Sequence, residues 1–388
     1  MELHMPTREA PQPTATPWRR VWGIAGGAAA GLAILAAAFV WPATSSELDG
    51  LTVAVTGQSE AVTAFTQTAG EGLSEIVDLA TVDDREAAVA GIEDREFIGA
   101  LVLGDEPEVL IASASGQVPA AFMNQLAGQV QTNIDNAVYG GVTEGLRAAF
   151  SQPAGPQAGP EPAGPPGASE GNPAAAILEN IPEALPSIAI TDVVPYADGD
   201  ANGTGITSAG IPLTVGSLLA SILIAFTVSG RWQRVTAVLG VGIGGGLILT
   251  LILGTWLQAY PGPFGLVWLA LSLSVTAMSA LFVGLHSLLG RAGLGIAAAL
   301  TLLAAMPWAA FAVPSQFLPG GLGAIGQGLI PGATSTLARS ISYFPEAATA
   351  AQWWTLVIWV VLGLALIAVS RTPVTPSRAP VPTRPVAA

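Results

Sequence analysis

The sequence predicts an integral membrane protein: an all-α six-helix transmembrane bundle with an extracytoplasmic α+β domain inserted between the first and second spans. Three observations predict this. The 388 residues are 51% hydrophobic and 10% charged, against about 25% charged in an ordinary soluble domain. Six uncharged apolar runs recur along the chain, each about long enough for a helix to cross a bilayer. Between the first two lies a polar stretch, residues 43–210, that holds most of the acidic residues.

The runs are 21–41, 211–229, 235–257, 264–285, 292–313 and 353–370. The first reads as an uncleaved anchor, because its apolar stretch is too long for a signal-peptide core and no A-x-A site closes it. Arginines near helix ends orient the set. With the N-terminus in the cytoplasm, that side holds Arg8, Arg19, Arg20, Arg231, Arg234, Arg291, Arg371, Arg378 and Arg384, nine of the 13. Arg85, Arg95, Arg147 and Arg339 fall outside, and of the 27 acids only Glu2 and Glu9 fall inside. The expected location is a plasma membrane crossed several times, with membrane lipids as neighbours. An N-terminal arm (1–20) and a disordered tail (371–388) lie in the cytoplasm. The net charge of −14 then belongs to one exported segment, and it excludes nucleic acid as a partner, which wants a basic surface.

The exported segment divides into a domain (43–150), a linker (151–175) and a return segment (176–210). "LTVAVTG" (51–57) alternates and is β-branched, which predicts a strand. Residues 59–73 predict a helix, 75–80 a strand, and 84–96 an amphipathic helix with Asp84 as its N-cap. Two further strands (97–103, 108–114) and a long helix (118–150) complete a β-α-β-α-β-β-α order, the pattern of a small α+β domain. "SQPAGPQAGPEPAGPPGASEGNP" is too rich in proline and glycine to bury a core, and predicts a flexible linker. "SIAITDVVPY" (187–196) predicts a further strand, which leads through "ADGDANGTG" back to the membrane.

Composition removes several chemistries. There is no cysteine, and no lysine among the basic residues, so the chain has neither a P-loop nor a Schiff-base amine. With His4 and His286 as the two histidines, no metal or cofactor site is expected, and any ATPase activity would lie in a partner chain. Charge-free spans argue against an ion-coupled carrier. "GLGAIG" (321–326) fits a dinucleotide fingerprint, but no βαβ unit can surround it between two spans. "GASEG" (167–171) fits a nucleophile elbow, but sits in the linker with no histidine base near it. "NGT" (202–204) is a sequon with no expected use in a bacterium.

What remains is architectural. Residues 314–350 are apolar yet broken by Pro319, Gly321, Gly323, Gly326 and Pro331. They read as a re-entrant or interfacial element, or else as an outer loop of small residues. Gly23, Gly27 and Gly31, and likewise Gly242 and Gly246, stand four apart. That spacing lets helices approach closely, within one chain or across a dimer seam.

One span, a large outer α+β domain, then five spans with a broken Pro/Gly element before the last resembles the type-2 ABC exporter permeases. The likeness is greatest to the phage-infection-protein (Pip) branch of Gram-positive bacteria. The residues that carry it are "LTVAVTG", "DREAAVAGIEDREFIGALVL" (84–103), "DVVPYADGDANGTGITSAGIPLTVGSLL" (192–219) and "FLPGGLGAIGQGLIPGATSTLARSISYF" (317–344). The resemblance implies a homodimer, or a heterodimer with a related permease, working with a separate cytoplasmic ABC ATPase. Such a pair would move lipid-linked, polymeric or amphipathic substrates outward. Arg231, Trp232 and Arg234, in the short loop "GRWQR", are the candidate ATPase contact, although arginines there also serve topology. The alternative is a membrane-anchored receptor or a cell-envelope or secretion assembly factor.

Overall fold

A computed structural model describes residues 51–68, 77–104, 106–151, 187–311 and 314–370. The arm, the predicted first span with Gly23, Gly27 and Gly31, the body of the linker and the tail lie outside the described residues.

The N-terminal part is a five-stranded sheet in the order β2-β1-β3-β4-β5. Its strands are β1 (Thr52–Gly57), β2 (Asp78–Thr81), β3 (Gly99–Leu103), β4 (Glu108–Ile111) and β5 (Ala189–Asp192). β1 runs parallel to β2 and β3, β3 and β4 form an antiparallel pair, and β5 returns from far along the chain to lie parallel to β4. Among the described residues three helices accompany it: α1 (Ser59–Thr68), α2 (Arg85–Glu93) and α3 (Gln117–Ser151). Asp84 caps α2, its carboxylate accepting the Ala87 N–H at 2.7 Å, which satisfies one of the donors that a helix start leaves open.

Side chains alternate across a strand, and the two faces are covered differently. Val53, Val55, Leu101, Val109 and Ile111 point to one core, shared with α1 and with Met123 and Leu126 of α3. Ala54, Ala100 and Leu110 point to the other, where they meet Ala88 and Ile92 of α2. That second core continues without a break into Leu213, Leu253, Val267 and Phe344. The sheet is therefore seated face-on upon the ends of the apolar helices.

Those helices follow as α4 (Thr204–Ser208), α5 (Gly210–Thr227), α6 (Arg231–Leu249), α7 (Phe264–Leu289), α8 (Arg291–Ala299), α9 (Leu322–Gln327), α10 (Ile330–Tyr343) and α11 (Ala350–Val369). α6 and α8 end in π-helical turns, Thr250–Trp256 and Leu300–Ala305. Among the described residues, four stretches are long and apolar enough to cross a membrane: Thr204–Thr227, Arg231–Trp256, Phe264–Leu289 and Ala350–Val369. The chain is mostly helical and has the make-up of a membrane protein. The predicted span 292–313 is shorter than expected, ending as a helix at Ala305. Pro307 explains this, since it lacks an N–H and clashes with the preceding turn.

α7 is the central helix, packed on by α5, α6, α8, α10 and α11. Its Ser/Ala-rich surface lets the neighbours come close. A Cβ on Gly246 would lie 2.5 Å from the Cα of Ser272, and one on Gly363 of α11 would lie 2.5 Å from the carbonyl carbon of Ala280. Gly242 faces Thr276 in the same seam. Gly242 and Gly246 of α6 thus pack within the chain, against α7.

Residues 314–343 enter among the helices and return. Phe317 is packed in the sheet core, Gly320 and Gly321 turn the chain with φ of +61° and +77°, and α9 and α10 follow. The Gly328 carbonyl accepts the Trp359 indole N–H at 2.9 Å. Trp359 lies nine residues into α11, about 14 Å from its start at the helical rise. Thr334 bonds Ser274 at 2.6 Å, and Ser274 lies ten residues into α7, about 15 Å along it. The α9–α10 turn therefore reaches roughly half the length of its neighbours, entering from the sheet end.

Candidate functional site

The sheet meets the helix ends around Arg339, in the last turns of α10. It is 3% exposed. Its guanidinium donates from Nη1 to the Ser115 carbonyl and from Nη2 to the Phe311 carbonyl, each at 2.7 Å. Three segments far apart in sequence are thereby tied to one side chain: the turn before α3, the stretch after α8, and α10. Among the described residues no carboxylate comes within ion-pair distance of it. Burial lowers its pKa, and Tyr196, Tyr260 and Tyr343 push the other way. The two carbonyl oxygens thus satisfy the buried guanidinium in place of a carboxylate.

Arg95 stands beside it, leaving α2 with a φ of +65°. It donates to the Ser340 Oγ at 2.9 Å and lies 5.2 Å from the centre of the Phe344 ring. Burial, and then the charge of Arg339, lower its pKa to about 10, so it stays a cation at neutral pH. Two arginines therefore hold neighbouring residues of α10 to the sheet unit.

Asp200 organises the return segment. Its carboxylate accepts from the Gly205 and Ile206 N–H groups at 2.9 and 3.2 Å and from the Thr204 hydroxyl at 3.2 Å. A carboxylate at the first turn also suits the helix dipole. Gly203 precedes that turn with a φ of +65°, and a side chain there would strike the ring of Tyr196.

Above this floor opens a cleft of about 650 Å³. Its walls come from the end of α2 (Glu93), the segment after β5 (Tyr196, Asp198), the α6–α7 turn (Gln258), the end of α10 (Tyr343) and the segment after it (Glu346). Tyr196 and Tyr343 stand edge to face, 6.1 Å between ring centres and 86° between planes. Burial raises both phenols, Tyr343 to about 12, so both remain neutral and keep their protons. The Tyr343 hydroxyl donates to the Ala259 carbonyl at 3.3 Å. Gln258 Oε1 accepts the Gly199 N–H at 3.1 Å.

The residues singled out from sequence lie elsewhere. Arg231, Trp232 and Arg234 are at the opposite end of the helices, and they are on the first turn of α6 rather than in a loop. Gly230 is the helix cap, so the connection is shorter than "GRWQR" suggests. Arg234 is committed to structure: it donates to the Val228 carbonyl at 2.7 Å and the Ser287 hydroxyl at 2.9 Å, pinning the α5–α6 turn to α7. Trp232 is 65% exposed, with Arg231 5.9 Å from its ring centre. Gly321 caps α9. Gly323 and Gly326 pack against the backbone of Ser315 and Trp308, and Pro319 and Pro331 stand at the starts of their helical turns. Sequence reasoning missed Arg339 and the tyrosines. The signal was present: a single arginine inside the uncharged run "GATSTLARSISYF" demands a buried partner.

No family model, curated protein or solved structure matches the chain.

Proposed function

We propose that the chain is the membrane-embedded permease subunit of an ABC-type exporter, dependent on a separate ATPase. It would move a lipid-linked, polymeric or amphipathic substrate outward. In this reading both termini are cytoplasmic, residues 43–210 are extracytoplasmic, and the predicted spans 21–41 and 292–313 complete six crossings. The observation that carries it is the α9–α10 element. Broken backbone at membrane depth is stable only where protein covers it or it lines a water-filled path, and such interrupted helices are a recurrent feature of transporters. The end of the helices away from the sheet offers a partner an exposed tryptophan beside an arginine, residue types enriched in interface hot spots. Dimerisation with a second permease chain belongs to the same reading.

The receptor or assembly-factor reading is favoured by a different observation, the cleft at the sheet end. Affinity purification from native membranes separates the two. The permease reading expects a chain with a G-x-x-x-x-G-K-[ST] nucleotide loop to co-purify, with ATP hydrolysis stimulated by the complex. Trp232→Ala, which leaves both arginines in place, should weaken that association about tenfold or more. Recovery of the intact protein without any ATPase would transfer the assignment to the receptor reading.

A further inference from the structure

We propose that the cleft between the sheet unit and the helix ends binds an organic ammonium ion, a bulky cation with an apolar body. At about 650 Å³ it falls within the range of small-molecule sites. Its walls carry Glu93, Asp198 and Glu346, three acids from three separate segments, and no arginine or histidine. Among the described residues none of the three is ion-paired; the pair that forms, Arg85–Glu108, is elsewhere. Arg339 lies behind the floor with its hydrogen bonds turned to backbone carbonyls. Arg95 beside it is likewise turned away, to the Ser340 hydroxyl and the Phe344 ring, so two guanidiniums off the walls are set against three acids on them.

The tyrosines decide which cation fits. Tyr196 and Tyr343, set perpendicular to each other, are the aromatic residues on the cleft walls, and an aromatic ring attracts a cation. A small metal ion is the poorer guest, because no group of three acids or histidines among the described residues converges closely enough to hold one. The hydroxyl oxygen of Ser342, also on the wall, is closed off and has no hydrogen-bond partner among the described residues. The site is preformed, since Gly203 backs Tyr196 and the Ala259 carbonyl holds Tyr343. A soluble amine and the headgroup of a choline or ethanolamine lipid present the same chemistry.

The test compares choline with its neutral isostere 3,3-dimethylbutan-1-ol by titration calorimetry on the purified full chain in non-ionic detergent. Saturable choline binding at least about tenfold tighter than the isostere supports the site. Equal binding of the two, or none of either, overturns it, and this comparison needs no variant. Tyr196→Leu should abolish the preference while Tyr196→Phe keeps it; a preference that survives Tyr196→Leu also overturns the assignment. Asp198→Asn with Glu346→Gln should weaken choline further and flatten its salt dependence, and choline binding unchanged by that pair of substitutions counts against the site. Repeating the titration in phosphatidylcholine and phosphatidylglycerol nanodiscs assigns the source. Competition confined to phosphatidylcholine identifies a lipid headgroup; equal choline binding in both identifies a soluble amine. No ATPase enters the experiment, so its failure leaves the permease reading standing.

Discussion

Arg339 does at the residue scale what no hydrophobic contact could do: it bonds two carbonyls on segments that the sequence keeps far apart. Removing it leaves those buried acceptors without their donor, at roughly 1–3 kcal/mol for each one unsatisfied. Arg339→Ala is therefore expected to destabilise the detergent-purified protein by roughly 2–4 kcal/mol, read as a fall in melting temperature. Arg339→Lys keeps the charge but not the fork, and should fall between. Unchanged melting of the alanine variant would show that the carbonyls find other donors. The arginine was visible in the sequence as a charge in an apolar run, but its partners were not. Ser115 and Phe311 offer backbone oxygens, and a backbone oxygen has no sequence signature. Tyr196 and Tyr343 meet only because β5 and the end of α10 are brought together, which no local pattern encodes.

Elements were easier to read than their ends. Alternating β-branched residues placed β1, and the Asp84 cap placed α2, because each depends on neighbours in sequence. β5 was legible as a strand but not as the edge partner of β4, a pairing between residues about 80 apart. Glu108 fastens that pairing, accepting from Arg85 at 2.7 and 3.0 Å and from the Thr191 hydroxyl. The Arg85 hydrogen bonds hold the Glu108 carboxyl below its usual range. A depressed folded value means the contribution is present above the unfolded carboxylate pKa, about 4.3, and is lost as pH falls through the lower folded value. Hydrogen exchange in β4 and β5 should therefore quicken on acidification below about pH 4, and Glu108→Gln should remove that dependence. The effect is modest, because the Arg85 side chain is 40% exposed. On α6, glycines two apart should behave oppositely. Gly246→Ala forces a Cβ against the Ser272 backbone and should cost roughly 1–3 kcal/mol. Gly244 meets nothing within 4 Å, so Gly244→Ala should be neutral or stabilising by up to about 1 kcal/mol. Equal melting shifts would mean that the α6–α7 seam is looser than described.

The whole molecule has two unlike ends. At one, a sheet with acids on its loops sits on the helices, with the cleft and the buried arginines beneath it. At the other are Arg231, Trp232, Arg234 and Arg291, with tight turns between helices. Composition made the membrane character legible, because a chain with 10% charged residues cannot cover itself in water. Helix count was harder, since apolar length alone does not register Pro307 or a helix pair that enters and turns back. The account rests on the two ends facing opposite sides of a membrane. The chain has no cysteine, so single cysteines report directly. Glu144→Cys, on α3, should react with a membrane-impermeant maleimide in intact cells, while Gln233→Cys, on the first turn of α6, should react only after the membrane is opened. Labelling of Gln233→Cys in intact cells with protection of Glu144→Cys would contradict the account.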